Sequence, residues 1–320
     1  MDNEIRQIKQ IRQAYYLMGT LVEVIAYVDS FSINPNLLLE KAFTEFERIE
    51  KTFSYFDQNS ELSRVNSQAS NHPIKVSKEF FHVVSLAVSY MLASQETFSI
   101  MLSPLTQLWH KATIKNKIPN TKSIKTTKRL TDPNLLVLNP SNQTIFFQKQ
   151  GVALDLSGFV KGYAVDCVKK TLSQLGVSSG MINAGSSSLT TWGLPLDSDA
   201  WKVGVKHVQN NTVIAILNLT SNAISTSGTS ERFFTIQNKN FSYILNPKTG
   251  YPLIDLISAT ALCSSALEAE VISKMILFLG QEKTLSCCEK NSWSIDSLLV
   301  QKLDNNNTYL SYTDNLPIIF

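Results

Sequence analysis

The sequence predicts an α+β (mixed α/β) fold. Three observations lead there: four segments carry apolar residues at helical spacing, strand-like runs dominate the second half, and neither an internal repeat nor a low-complexity linker divides the chain. Thr20 to Val28 is rich in β-branched residues and reads as a strand. Asn34 then Pro35 opens a helix, because an Asn side chain accepts from free backbone N–H groups and proline suits the first helical position. Leu39, Ala42, Phe43, Phe46, Ile49 and Phe53 make its inward stripe. Asp57 to Asn66 reads as a polar loop. Ser77 caps a second helix running to about Ala93, with Phe80, Val83, Val84, Ala87 and Met91 inward. Residues 112–150 read as loops and short strands, with Thr144 to Phe147 one candidate strand and Val152 to Leu154 another. A third helix begins near Gly158 or Phe159 and stops at Gly176. Strand-like segments follow at Met181 to Ala184, Trp201 to Val205, Thr212 to Leu219, Phe233 to Ile236 and Ile257 to Cys263. A fourth helix runs from Ser265 to Leu279 and ends at Gly280, and the segments around Leu298 and Tyr309 suggest an edge hairpin. The expected organisation is an N-terminal extension over 1–16, one integrated module over 17–285, and C-terminal strands over 286–320 packed on that module.

Composition narrows the function classes. Of 320 residues, 43% are hydrophobic and 17% charged, enough for a substantial core. The formal charge is +3, with 29 basic and 26 acidic residues interspersed, so no polybasic tail argues for nucleic acid or membrane. The one locally basic stretch, Lys111 to Arg129, also holds Pro119, Asn120 and several Thr and reads as a solvated loop. Charges and amides break every apolar run in the first 20 residues, as a secretory signal would not. No run reaches the roughly 20 apolar residues of a membrane span. A cytoplasmic setting is expected. The four cysteines, Cys167, Cys263, Cys287 and Cys288, have no metal-ligand spacing.

A series of short motifs then appears in fixed order. Met18-Gly19-Thr20 opens the first strand, followed by Ser54-Tyr55-Phe56, Ser60-Glu61-Leu62-Ser63 with Asn66, and Ser103-Pro104-Leu105 with Leu108-Trp109. Asp155-Leu156-Ser157-Gly158 precedes Lys161-Gly162-Tyr163-Ala164-Val165-Asp166. Two glycine turns, Asn183-Ala184-Gly185 and Thr226-Ser227-Gly228 with Glu231-Arg232, lead to Asn246-Pro247-Lys248-Thr249-Gly250-Tyr251-Pro252 and Ala266-Leu267-Glu268-Ala269-Glu270. Singly these are weak. Together, over about residues 17–280, their order resembles the ApbE family, the FAD:protein FMN transferases.

That resemblance implies an enzyme that takes FAD and Mg²⁺, moves FMN onto a Ser or Thr hydroxyl of an acceptor protein, and releases AMP. Phosphoryl transfer asks the protein to position the diphosphate and offset charge on its oxygens. Lys161, in the opening turn of a helix whose dipole favours an anion, is the first candidate for catalysis. By family position Tyr243 and Asn246 join it as catalytic candidates. The implied FAD contacts are Met18, Tyr55, Asn66, Trp109, Asp155, Ser157, Gly158, Lys161, Gly185, Ser186, Ser187, Thr226, Ser227, Gly228, Lys248 and Thr249. Read without the family, the two glycine turns offer backbone N–H groups and hydroxyls to phosphate, or are ordinary Ser/Gly turns. Gly162 allows close approach, and Asp166 fixes its helix by a buried hydrogen bond or serves the site.

The departures fall where the chemistry should be. The family's metal positions map to the Gly158 carbonyl, Glu270 and Lys274, where the last two stand for an Asp and a Thr. A charged lysine cannot ligate Mg²⁺. Glu270 and Lys274 also suit an i,i+4 ion pair. Either a salt bridge fills an emptied metal site, or the Lys274 ammonium replaces the metal's charge. Tyr243 stands where the family has a His, and Asn246 where it has an Asp. Ser99, Met101, Ser186 and Ser187 are further departures. Three readings therefore stand: an FMN transferase with a modified metal site, a flavin-binding pseudoenzyme, and a weak FAD pyrophosphatase. No G-x-S-x-G elbow supports a hydrolase.

Overall fold

The computed structural model describes residues 8–29, 34–207, 212–229, 232–255, 257–302 and 308–320. In chain order the elements are β1 (Ile8–Leu17), β2 (Thr20–Asp29), α1 (Pro35–Phe53), α2 (Glu61–Gln68), β3 (Ile74–Lys75), α3 (Lys78–Ala93), α4 (Ser103–Ile114), α5 (Thr121–Lys128), β4 (Leu136–Asn139), β5 (Thr144–Phe147) and α6 (Val160–Gln174). The second half holds β6 (Ser179–Ala184), β7 (Ser188–Trp192), β8 (Trp201–Lys206), β9 (Val213–Leu219), β10 (Ala223–Gly228), β11 (Phe233–Ile236), β12 (Lys239–Ser242), β13 (Ile257–Cys263), α7 (Ala266–Leu279), α8 (Gln281–Lys290), β14 (Asp296–Lys302), β15 (Thr308–Tyr312) and β16 (Ile318–Ile319).

An eight-stranded sheet in the order β1-β2-β6-β7-β10-β13-β14-β15 organises the molecule, and every neighbour in it is antiparallel. Side chains alternate across it. On β2, Val22, Val24, Ala26 and Val28 enter the large core with α1, α6 and α7, whereas Ile25 joins a second cluster. That second cluster lies between the large sheet and the three-stranded sheet β16-β9-β8. It includes Leu189, Trp201, Leu217, Ile224, Leu262 and Leu298. The middle strands are thus covered on both faces, and all five residues of β7 are buried. A third cluster, around Trp109, Leu105, Ile124, Phe234 and Leu245, joins α4, α5 and the β11–β12 hairpin.

Mixed α+β architecture is observed, with the four long helices where sequence placed them. Asn34 accepts from the Asn36 and Leu37 amides, Ser77 from Phe80, and Ser265 from Glu268, as capping requires. Eight helices are present among the described residues, against the four expected. The Asp57–Asn66 segment contains the start of α2, because Ser60 caps it and Leu62 and Val65 reach the core. The basic Lys111–Arg129 stretch is the end of α4 and the whole of α5, which buries only Ile124. Val152 to Leu154 forms no strand. Leu38, rather than Leu39, completes the buried stripe of α1. Thr226-Ser227-Gly228 is the end of strand β10 rather than a turn. Residues 8–16, expected as an extension, pair with β2 along β1, and α8 spans the 285/286 boundary. No helix among the described residues is long and apolar enough to cross a membrane.

Candidate functional site

The start of α6, the β6–β7 turn, the end of β10 and the middle of α7 converge on a cavity of about 510 Å³. Its floor is Glu270, which α7 carries almost fully buried. One carboxylate oxygen accepts from the Ser188 hydroxyl and the other from Lys274 Nζ at 2.9 Å. Lys161 Nζ stands 4.0 Å from the same carboxylate. Burial by itself would push the Glu270 carboxyl up, but the Lys274 and Lys161 ammoniums and the Ser188 hydroxyl hold it below the usual carboxylate range. Glu270 is therefore an anion between two cations.

Backbone geometry fixes that arrangement. Asp166 on α6 accepts from Ser265 Oγ (2.7 Å) and from the Ala266 (2.9 Å) and Leu267 (3.0 Å) amides, satisfying free donors at the start of α7. Its carboxyl is pushed up by burial against those hydrogen bonds. Gly162 allows this crossing, since a side-chain carbon there would come within 2.6 Å of Leu267 Cα. The close approach it was expected to permit is thus to α7, not to a ligand. Farther along α7, Ser273 Oγ meets Ser227 Oγ at 2.8 Å and ties the helix to β10. Lys161 is the second residue of α6 and donates to the Ser187 hydroxyl, joining the helix start to the β6–β7 turn.

That turn needs its glycine. Gly185 (φ +68°) is in the left-handed region, and a Cβ on it would run into the Thr20 side chain. Asn183 Oδ1 accepts from the Ser186 amide at 2.9 Å and closes the turn. The opposite rim is aromatic. Tyr55 meets Phe56 edge to face at 5.5 Å and holds its hydroxyl 2.9 Å from Ser103 Oγ. Tyr243 stacks on Phe234 at 4.8 Å, and burial, with Asp155 nearby, pushes its phenol above the ordinary value. The phenol thus stays protonated near neutral pH.

The cavity wall brings together Met18, Tyr55, Ser157, Gly158, Lys161, Gly185, Ser187, Thr226, Ser227, Gly228, Tyr243, Glu270 and Lys274. Seven other expected residues stand outside it. Ser186 faces a second cavity of about 470 Å³, which shares Ser187, Thr226 and Gly228. Asn66 clamps Leu154, donating to its carbonyl (2.9 Å) and accepting from its amide (2.7 Å). Asp155 accepts from the Ser157 amide at 2.9 Å. Asn246 Oδ1 accepts from the Lys248 (2.8 Å) and Thr249 (3.3 Å) amides and so shapes its own turn, leaving no free acceptor aimed at a substrate. Trp109 is buried and donates from Nε1 to Gly250 O at 3.0 Å. Glu231 lies outside the described residues.

Several wall or floor residues escaped the sequence reading, among them four polar ones. Arg232 was legible only as part of a motif, and Thr20 only as the partner of Met18 and Gly19. Glu50 lines the cavity and accepts from the Met18 amide at 2.9 Å, and Ser188 reaches Glu270 from 82 residues away. Neither leaves a local signal.

The profile of the ApbE family matches residues 18–299. The chain belongs to the ApbE family. An FAD:protein FMN transferase of Klebsiella pneumoniae is 28% identical over 268 residues, covering 83% of this chain and 82% of the relative. Another, from Haemophilus influenzae, is 28% identical over 313 residues, covering 94% and 89%. An ApbE protein of Thermotoga maritima superposes with a TM-score of 0.82 at 25% identity, over 95% of this chain and 97% of that one. A Vibrio cholerae flavin transferase shares the fold, with a TM-score of 0.82 at 22% identity and coverage of 96% and 98%.

The Mg²⁺ implied by this ApbE resemblance does not fit the residues present. Magnesium demands near-octahedral oxygen ligation. Of the three corresponding positions, Lys274 offers only N–H donors, and it already occupies one Glu270 oxygen. The aliphatic end of Lys274 also lies against Gly158, with Cε 3.0 Å from where a Cβ would stand.

Proposed function

We propose that this chain is an FAD:protein FMN transferase acting on a Ser or Thr hydroxyl of an acceptor protein. The single observation that supports this most is the cavity itself. Lys161, at a helix start, faces the small-residue β6–β7 turn and the small-residue end of β10, which leave room for a diphosphate, while Tyr55, Phe56 and Tyr243 offer ring surfaces at the rim. The wall counts three cations, Lys161, Arg232 and Lys274, against two carboxylates, Glu50 and Glu270, so it favours an anion.

The reaction balances without a redox partner. The acceptor hydroxyl oxygen bonds to the phosphorus of the FMN half, the bond from that phosphorus to the bridging oxygen breaks, and AMP leaves with the oxygen and the hydroxyl proton. Lys161 would offset the charge that gathers on the diphosphate. Ser187, Thr226 and Ser227 would orient it through their hydroxyls. The ring systems would rest against the aromatic rim.

One observation favours a second reading, a flavin binder without transfer. Tyr243 remains protonated where proton exchange is expected, so it cannot act as a base near neutral pH. Incubating the chain with FAD and a candidate acceptor separates the readings by mass spectrometry. An acceptor heavier by one FMN supports transfer. FAD retained without AMP supports the binder, and free FMN with AMP but no modified acceptor indicates a pyrophosphatase.

A further inference from the structure

We infer that the Lys161–Glu270–Lys274 cluster takes the place of a divalent cation, so that this chain grips the diphosphate of FAD by ammonium groups without metal. The inference rests on the FAD reading above and concerns how that substrate is held.

Three features of the cluster lead to it. First, the acid that could ligate a metal is already neutralised. Glu270 is buried, each of its oxygens has a partner, and Lys274 holds it twice, donating to the carboxylate and to the Glu270 backbone carbonyl at 2.9 Å each. A dication would have to displace an ammonium fixed within a single helix turn, in a place where leaving either charge unpaired is costly. Second, the space is taken. The Lys274 chain lies on Gly158, the residue whose carbonyl would be the remaining ligand, with Cε 3.0 Å and Nζ 3.6 Å from where a Cβ at 158 would stand.

Third, the cluster still has donors to give. An ammonium has three N–H groups. Lys274 directs two at Glu270, and Lys161 directs one at Ser187, its 4.0 Å separation from Glu270 being an ion pair rather than a hydrogen bond. Both lysines line the cavity, so their remaining N–H groups are available to an anion placed there. Two ammoniums and one carboxylate leave one net positive charge next to a doubly charged diphosphate. Glu270 therefore acts as a positioning residue: it holds the two ammoniums close together in the absence of substrate, where they would otherwise repel. One charge offsets a diphosphate less than a metal dication does, so weaker charge stabilisation accompanies independence from metal.

The test is FAD titration of the full chain, followed by flavin fluorescence, in excess EDTA and again in excess Mg²⁺. Equal affinity in both, within about twofold, supports the inference. Lys274→Met should then weaken FAD binding about tenfold in either buffer, as loss of a charge-assisted hydrogen bond predicts. Glu270→Asp with Lys274→Thr should make binding tighter in Mg²⁺ than in EDTA by about tenfold. Binding by the unmodified chain that is about tenfold weaker in EDTA overturns the inference and leaves the FAD reading intact. No binding in either buffer removes the FAD reading and the inference with it. The comparison on the unmodified chain needs no variant to fold.

Discussion

Two stretches of this chain carry family motifs of similar clarity, yet the structure uses them differently. The Lys161 segment and α7 form the floor of the cavity, with two ammonium groups arranged around one buried carboxylate. The Asn246–Tyr251 turn, by contrast, is closed on itself by Asn246 and held from behind by the Trp109 indole. One motif builds a site and the other builds a support. The difference lies in where the polar atoms point: outward into the cavity for the lysines, inward to local amides for Asn246. A matched motif therefore establishes ancestry over its whole length, but chemistry only where a side chain is left with capacity to bind something.

Substitutions on the two sides should separate accordingly. The largest effect belongs to the support. Trp109→Ala empties the third core cluster and orphans the Gly250 carbonyl, and should cost about 3–5 kcal/mol of stability in denaturant unfolding. FAD affinity of the folded protein should hold within about twofold. An unaltered unfolding midpoint would show that Trp109 is not core. On the site side, Lys161→Ala should reduce FAD affinity about tenfold in fluorescence titration while the chain remains folded by circular dichroism. Unchanged affinity and transfer would remove Lys161 from the site.

Smaller effects sharpen the boundary. Asn246→Ala removes two turn hydrogen bonds and should cost about 1 kcal/mol, measured by chemical denaturation, with transfer rates nearly unaltered. A large loss of transfer at unchanged stability would move Asn246 into the chemistry. Tyr243→Phe should change least. The Tyr243 phenol is pushed up by burial, so it is protonated below its folded value and contributes no titration to the neutral range. The rate–pH profile of transfer should keep its shape below about pH 10 when the hydroxyl is removed. Loss of a limb between pH 6 and 8 on the order of tenfold would assign the phenol a proton-transfer role.

Much of this was legible because local signals decide local structure. Asn34 and Pro35, Ser77, Ser265 and Gly280 announce helix ends through caps that need no tertiary context. Glu270 and Lys274 could be paired from their spacing alone, and they do meet. What stayed hidden depends on distant partners or on weak apolar content. Strand β1 buries only Ile11, and α5 only Ile124, so neither shows an amphipathic pattern. Thr226–Gly228 looked like a turn because its composition is small and polar. It is a strand instead because β13 pairs along its whole length, continuing from Ala223–Ser225, which β7 pairs on the other side. The hydrogen bond from Ser188 to Glu270 joins residues 82 positions apart, and only the sheet and α7 together bring them into reach.

Equilibrium dialysis of the chain against FAD in excess chelator puts the central claim to its most direct trial. A cavity whose cationic floor is built from Lys161 and Lys274 should retain FAD at one molecule per chain, and lose most of it when both lysines become Met. If the chain retains no FAD, with chelator or with magnesium, the cavity does not take this dinucleotide and the proposed transfer has no substrate.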